Sequence, residues 1–338
     1  MTSTRITIVG EAFGQREEAL GRPFVGPGGH VLDGLLSQAG ISREECAITN
    51  VFNFRPRNND IETLCVSDKR KGIPGYPFIK RGKYISAEHA PHIAALWRFL
   101  ERHDPNIIIA LGGVALWALT KQLGIAKWRG SPLLTHDERW KVLTTWHPSA
   151  VLRQWELRPV AFVDLCKAQR ESASPRLVRP RRIIHLEPTL ADIESFYRKY
   201  IVPAEFVACD IETKGNTITE VGFATSPSRA IVIPFWSRAA RDGNYWPDAE
   251  AERAAWEWVR RILAEKPTIG QNFQYDMQYL YRTLGIASPQ FAGDTMILHH
   301  TLQPEMKKSL GFLGSVYTDE PSWKFMRTDH STIKQEDE

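Results

Sequence analysis

Residues 10–29 read GEAFGQREEALGRPFVGPGG and follow the apolar run RITIV without a break. Six glycines in twenty residues, between a β-branched run and the helical pattern HVLDGLLSQAG, suggest a strand, a tight polar loop and a helix. A glycine-rich loop at such a junction is the usual cradle for a nucleotide phosphate. This one also carries Glu11, Glu17, Glu18 and Phe24, which a phosphate cradle does not need. A dinucleotide site is disfavoured more directly. GPGGHV does not fit G-x-G-x-x-G, and no acid stands about 20 residues on at a second strand end.

Outward from this loop, CAITNVF, NIIIALGG and WKVLTTW read as further strands. VLDGLLSQAG, AEHAPHIAALWRFLERH and GVALWALTKQLG have the 3.6-residue spacing of amphipathic helices. The alternation predicts an α/β layer with a mostly parallel sheet, which binds ligands beyond the carboxyl ends of its strands. GEAFG, NVFNFRPRNND and HPSAVLR all fall there, so one shared cleft is expected. Residues 55–86 form a long insertion between CAITNVF and AEHAPHIAAL. In it Lys69, Arg70, Lys71, Lys80, Arg81 and Lys83 interleave with Tyr76, Phe78 and Tyr84. Two readings stay open: a solvated surface loop, or a nucleic-acid contact whose cations neutralise phosphates and whose rings stack bases.

A chain of 338 residues has room for about two domains. The formal charge of +4 tolerates nucleic acid as a partner without demanding it. Cys46, Cys65, Cys166 and Cys209 lie far apart with no CxxC pair, which argues for a reducing compartment and against a disulfide framework or a zinc knuckle. The N-terminus lacks the apolar core of a signal peptide and no apolar run reaches 18 residues, so a cytoplasmic protein with no membrane partner is expected. ESASPRLVRPRRIIHLEPT, with three prolines and four arginines, reads as a linker. The expected organisation is a first domain over 1–171, a basic linker over 172–188 and a second domain over 189–338.

Taken together, GEAFG, GRPFVG, ITNV and HPSAVLR resemble the uracil-DNA glycosylase superfamily, nearest its family 4 type, in order and over about residues 5 to 168. The resemblance implies a three-layer parallel-sheet fold and excision of a flipped base. Such chemistry needs a stabilised base anion and support for an oxocarbenium-like sugar. It implies His147 as the donor to the developing anion and Glu11 as the residue that positions water or supports the sugar. Asn50 would read the base edge, since one amide both donates and accepts. Phe24 would stack on the base, and Arg153 would hold a DNA phosphate. Two departures stand out. Phe13 replaces the usual proline of GEAPG. The family's four cysteines for a [4Fe–4S] cluster are also missing: there is no N-terminal CxxC, Phe54 stands where NVxKC places a cysteine, and HAPHIAALW has none. No iron–sulfur cluster is therefore expected.

The second half restarts with TLADIESFYRKYI as a helix and EFVACDIETKG, ITEVGFAT and RAIVIPF as strands. CDIET and GQNFQYDMQYL resemble the first two motifs of DEDD-type 3′–5′ exonucleases, in a run similar to family A DNA polymerases of phage type. The resemblance implies a ribonuclease H-like α/β domain and a setting in a bacterial cytoplasm or a phage-infected cell. It also implies DNA, single-stranded or uracil-containing, as partner, and a polymerase domain in cis or trans. Asp210 and Glu212, two apart on a strand, face one side, and Asp276 opens a helix. Such carboxylates suit Mg²⁺ or Mn²⁺. No tyrosine or histidine downstream, His330 included, has an aspartate at the spacing of the last motif, and Asp294 reads as a helix cap. The polar end MRTDHSTIKQEDE adds no closing element, so a fragment of a longer polymerase is expected. A non-catalytic pair of DNA-binding domains is the alternative.

Overall fold

The computed structural model describes residues 5–320; the tail MRTDHSTIKQEDE, with His330, lies outside them. Two compact units emerge, Met1–Val178 with Gly311–Glu338, and Arg179–Leu310.

In the first unit the strands are β1 (Ile6–Ala12), β2 (Cys46–Phe52), β3 (Ile107–Leu111), β4 (Pro132–Leu134) and β5 (Lys141–Thr145), ordered β2-β1-β3-β5-β4. All pairs are parallel except the edge strand β4, which runs antiparallel to β5. Period-two side chains sort to two faces, and both are apolar. Ile6, Ile8, Ile107 and Ile109 pack against α2 (Pro27–Gln38) and α6 (Arg158–Glu171). Val9, Ile108 and Ala110 pack against α3 (Ala90–His103) and α4 (Gly113–Thr120). The result is the expected helix–sheet–helix sandwich. A short α1 (Gln15–Leu20) interrupts the glycine-rich loop, and α5 (Pro148–Arg153) follows β5.

The insertion is not a solvated loop. Leu64, Ile73 and Ile85 are buried in the same core as α3 and α4, and Cys65–Val66 pairs antiparallel with Tyr84–Ile85. Tyr76 packs its ring 4.8 Å from that of Trp117, and its hydroxyl donates to the Ala118 carbonyl (3.2 Å). It is a core residue rather than a free stacking platform.

The second unit carries β6 (Ile183–His185), β7 (Val207–Lys214), β8 (Thr217–Ser226), β9 (Arg229–Pro234), β10 (Thr268–Gly270) and β11 (Phe291–Asp294). Their order is β11-β10-β7-β8-β9-β6. The meander β7-β8-β9 is antiparallel, and the outer pairings are parallel. Val207, Cys209 and Ile211 turn into a core shared with α7 (Leu190–Phe196), α8 (Ala249–Glu265) and α9 (Phe273–Leu284). α10 (Thr295–Leu302) follows β11.

The segment read as a linker is structured at both ends. The buried Lys141 ammonium takes the carbonyls of Glu171 and Ser174 (both 2.8 Å) and the Glu171 carboxylate (2.6 Å), which fastens the start of the segment to the first unit. Ile183–His185 is an edge strand of the second sheet, in register with Arg229–Ile231. The helix α11 (Leu310–Tyr317), expected in the second domain, groups from Gly311 on with the first unit.

Because Ile85 is 1 % exposed, Ile85→Ala leaves a cavity and lowers unfolding stability by about 3 kcal/mol in urea titration. A loss under about 0.5 kcal/mol is what a solvated loop would give.

Candidate active site

Parallel pairing sets Gly10 of β1 opposite Asn50 of β2. A Cβ on Gly10 would stand 2.2 Å from Asn50 Oδ1 and 2.4 Å from Phe24 Cζ, so only a bare main chain lets amide and ring close over this point. Asn50 is buried and its carboxamide has no hydrogen-bond partner among the described residues. Its own N–H donates to Asn53 Oδ1 (3.2 Å), and Asn53 Nδ2 donates to Thr49 Oγ1 (3.1 Å), which fixes the strand end.

Phe24 adopts φ 55°, a left-handed conformation unfavourable for a bulky side chain. The surroundings hold it there. The N–H groups of Val25 and Gly26 donate to Glu17 Oε1 (3.0 and 2.8 Å), and Arg43 donates to the carbonyls of Phe24 (3.0 Å) and Pro23 (3.3 Å). Strain over-determined in this way is characteristic of ligand clamps. The Phe24 ring lies 5.8 Å from the His147 imidazole, tilted by 35°.

His147 caps α5 with its own side chain: the Ser149 N–H donates to Nδ1 (3.2 Å). An accepting Nδ1 carries no proton, so the neutral ring holds its proton on Nε2. Burial pulls its pKa down to about 4, the Arg153 guanidinium pushes the same way, and Glu17 opposes them. The imidazole is therefore neutral and a donor at physiological pH. Burial raises the Glu11 carboxyl, Arg153 counteracts, and Asp60 raises it further. Arg153 is exposed at the end of α5, next to the exposed Leu152 and near Trp155.

Asn50 thus stands beside the Phe24 ring, the ring lies next to His147, and the Arg153 charge acts on both His147 and Glu11. The basic insertion is partly self-neutralised. Arg70 pairs with Asp68 (3.1 Å), and Lys80 and Lys83 share the Glu62 carboxylate; Lys69, Lys71 and Arg81 are exposed. Glu17, Arg43 and the Ser149 N–H were not singled out by sequence. Glu17 was legible only as an acid in the loop, because its two amide partners are fixed by the path of the chain.

The family's iron–sulfur cluster does not fit the residues present. The Phe54 ring lies 4.7 Å from that of His92 and 5.9 Å from that of His89, with Phe52 edge-on. Cys46 and Cys65 are free thiols that donate to the Ser42 and Ile61 carbonyls. The two departures from the family pattern touch each other. The Phe13 N–H donates to the Phe54 carbonyl (3.1 Å), a bond that proline could not make.

In the second unit Asp210 and Glu212 share the outward face of β7. Asp276 is 4 % exposed, and its Oδ1 accepts from the Ile211 N–H (2.8 Å). Burial lifts its pKa to about 6 against that bond, with Asp210 and Asp294 adding to the rise. Asp294 is a helix cap as expected, accepting from Met296 (2.8 Å), Asn272 (3.0 Å) and Phe273 (2.7 Å) N–H groups. Among the described residues no three His, Cys, Asp or Glu side chains converge to hold a metal ion. Asp276 keeps one oxygen on the Ile211 N–H while lying within reach of the Asp210 charge, and no step is assigned to a cation.

The first unit's cleft belongs to the class of α/β enzymes that work at the carboxyl edge of a parallel sheet. Residues 1–169 match the Uracil DNA glycosylase superfamily. A type-4 uracil-DNA glycosylase of Thermotoga maritima is 35 % identical over 170 residues, 49 % of this chain and 77 % of that protein. One from Archaeoglobus fulgidus is 33 % identical over 162 residues, 45 % and 69 % of the two chains. The chain belongs to the uracil-DNA glycosylase superfamily. Among solved structures, the Aedes aegypti Nibbler EXO domain aligns with TM-score 0.34 and 10 % identity over 47 % of this chain and 80 % of that one. An EXD2 exonuclease domain soaked in Mg aligns with TM-score 0.27 and 12 % identity, over 39 % and 68 %. Among the described residues no helix is long and apolar enough to cross a membrane.

A neutral His147 adds no limb near pH 6.5 to the pH profile of turnover. Acid inactivation instead follows protonation of Glu11, above the ordinary 4.5 of a glutamate. Removing a cation disfavours the carboxylate, so Arg153→Ala moves that limb to higher pH. A limb at 6.5 that vanishes in His147→Gln would contradict the neutral imidazole.

Proposed function

We propose that the first unit excises uracil from DNA by hydrolysing the N-glycosidic bond. The observation that carries this is His147, neutral and with its free proton on Nε2, beside an unpartnered Asn50 amide and the strained Phe24 ring. A flipped base stacks on Phe24, and Asn50 accepts from N3–H while donating to O4. The C1′–N1 bond breaks and its electron pair leaves with the base, whose O2 takes a hydrogen bond from His147 Nε2–H as charge develops. Glu11, as carboxylate, supports the cationic sugar and accepts the proton of the water that adds at C1′. The uracil anion takes a proton at N1 from solvent, Glu11 releases its proton to solvent, and uracil and an abasic site are the products. Arg153 binds a flanking phosphate, and Lys69, Lys71 and Arg81 of the insertion extend the basic surface. With Phe54 in place of a cysteine, the unit works without an iron–sulfur cluster.

For the second unit we infer a ribonuclease H-like, 3′–5′ exonuclease-like module in a polymerase setting, supported by the CDIET and GQNFQYD motifs and by the mixed sheet. Its Asp210, Glu212 and Asp276 are the carboxylates of that module present here, and the reading favoured is that the unit positions DNA. Mg²⁺-dependent trimming of a 3′ end that disappears in Asp210→Ala would overturn the non-catalytic part of this reading.

A uracil-containing oligonucleotide incubated with the protein and then heated in alkali is cut at the uracil, and His147→Ala lowers the rate by about 100-fold or more. The same preparation contains no stoichiometric iron. Absence of alkali-labile product, or equal product with His147→Ala, refutes the glycosylase assignment; one cluster per chain refutes the iron-free reading.

A further inference from the structure

The first unit buries three charges that its base chemistry does not use. Arg129, Asp164 and Lys167 are 2 %, 0 % and 1 % exposed. Asp164 takes a two-pronged ion pair from Arg129, Nε to Oδ2 at 2.9 Å and Nη2 to Oδ1. Asp164 alone cannot neutralise two cations, Asp319 of the C-terminal segment adds its charge to Lys167 from further off, and an uncompensated buried charge is strongly destabilising. The missing negative ends come from the far end of the chain. Lys167 Nζ donates to the carbonyls of Ser315 (2.6 Å) and Thr318, and to that of Gly130 (3.3 Å). Arg129 Nη1 donates to Ser315 Oγ (2.7 Å), and its guanidinium lies 5.6 Å from the Phe312 ring centre. These carbonyls close the C-terminal turn of α11, where unpaired oxygens and the helix dipole favour a cation.

The seat is built for the helix. A Cβ on Gly130, at φ +68°, would stand 2.6 Å from Asp164 Oδ1 and 2.9 Å from the Ser315 carbonyl oxygen. Leu313 and Gly314 are buried against the unit. The helix lies outside the stretch shared with the glycosylase family.

The same cluster reaches the catalytic strand. Thr145, the last residue of β5, donates from Oγ1 to Asp164 Oδ2 (2.7 Å), and the Gly130 N–H donates to the neighbouring Thr144 carbonyl (2.8 Å). The Thr145 carbonyl accepts from the Gly112 N–H (2.9 Å). His147 follows two residues later. Three successive hydrogen bonds, Ser315 to Arg129 to Asp164 to Thr145, therefore join α11 to the strand end that carries the imidazole.

We propose that residues 311–318 form a latch, seated on Arg129, Asp164 and Lys167, that positions the His147 loop for catalysis. Ser315, Arg129 and Asp164 are positioning residues that act through Thr145. The catalytic half of this proposal rests on the uracil-excision reading; the mechanical half does not.

The test uses the full chain with Ser315→Ala, Ser315→Thr and Lys167→Met, and measures amide exchange across residues 143–149 together with kcat and KM for uracil excision. Ser315→Ala speeds exchange at 143–149 by about tenfold and lowers kcat by about tenfold, with KM within about twofold, since a displaced catalytic group costs turnover rather than binding. Ser315→Thr keeps the hydroxyl acceptor and restores both. Lys167→Met gives the same exchange signature, or fails to fold, which leaves the Ser315 pair to decide. Faster exchange confined to 311–318, with 143–149 and kcat unchanged, overturns the proposal. If the wild-type chain excises no uracil, the base-excision reading falls, while the exchange pattern still decides whether the latch holds the strand end.

Discussion

The Ser149 N–H resting on His147 Nδ1 is the contact on which the rest of the site depends. It places the ring's proton on Nε2 and ties the ring to the first turn of its own helix. Burial makes the charged form costly, and Arg153 adds to that cost, so the imidazole stays a neutral donor. A neutral donor suits an oxygen that gains charge only as a bond breaks, because little is spent holding a full cation in a dry cleft. The parallel sheet supplies the position, since β5 ends at Thr145 and delivers His147 to the same edge as Gly10 and Asn50.

Around this point the structure spends backbone strain and buried charge. Phe24 keeps a left-handed conformation because Glu17 and Arg43 occupy the amides and carbonyls on either side of it. The loop before it is tied by Phe13 to Phe54, whose ring packs with His89 and His92 where the family pattern places cysteines. Ring packing and one main-chain hydrogen bond thus join regions that in the family motif are marked by proline and cysteine. On the other side of β5, the charges of Arg129, Asp164 and Lys167 are closed by a helix more than a hundred residues away in the chain.

The sandwich and the cleft were legible in the sequence because β-branched runs alternate with helical periods and because polar motifs end the strands. Glu11, Asn50 and His147 were singled out by the resemblance of GEAFG, ITNV and HPSAVLR, at strand ends where the alternation places polar residues. Leu64, Ile73 and Ile85 could not be read as core, since turns separate them and no period links them; the cations between them dominated the reading of the insertion. Nothing in the sequence around Lys141, Lys167 and Arg129 marks them as buried. Their burial depends on carbonyl and hydroxyl oxygens supplied by distant segments, 186 positions away for the Arg129–Ser315 bond. Asp276 was correctly placed at a helix start, but its hydrogen bond to Ile211 follows from strand–helix packing that no local spacing encodes.

The most direct test of the central claim is the ¹⁵N NMR signature of His147 in the free protein from pH 8 down to 5. A neutral ring with Nε2 protonated and Nδ1 bare throughout is the predicted result. An imidazolium titrating near 6.5, or a proton on Nδ1, would contradict it.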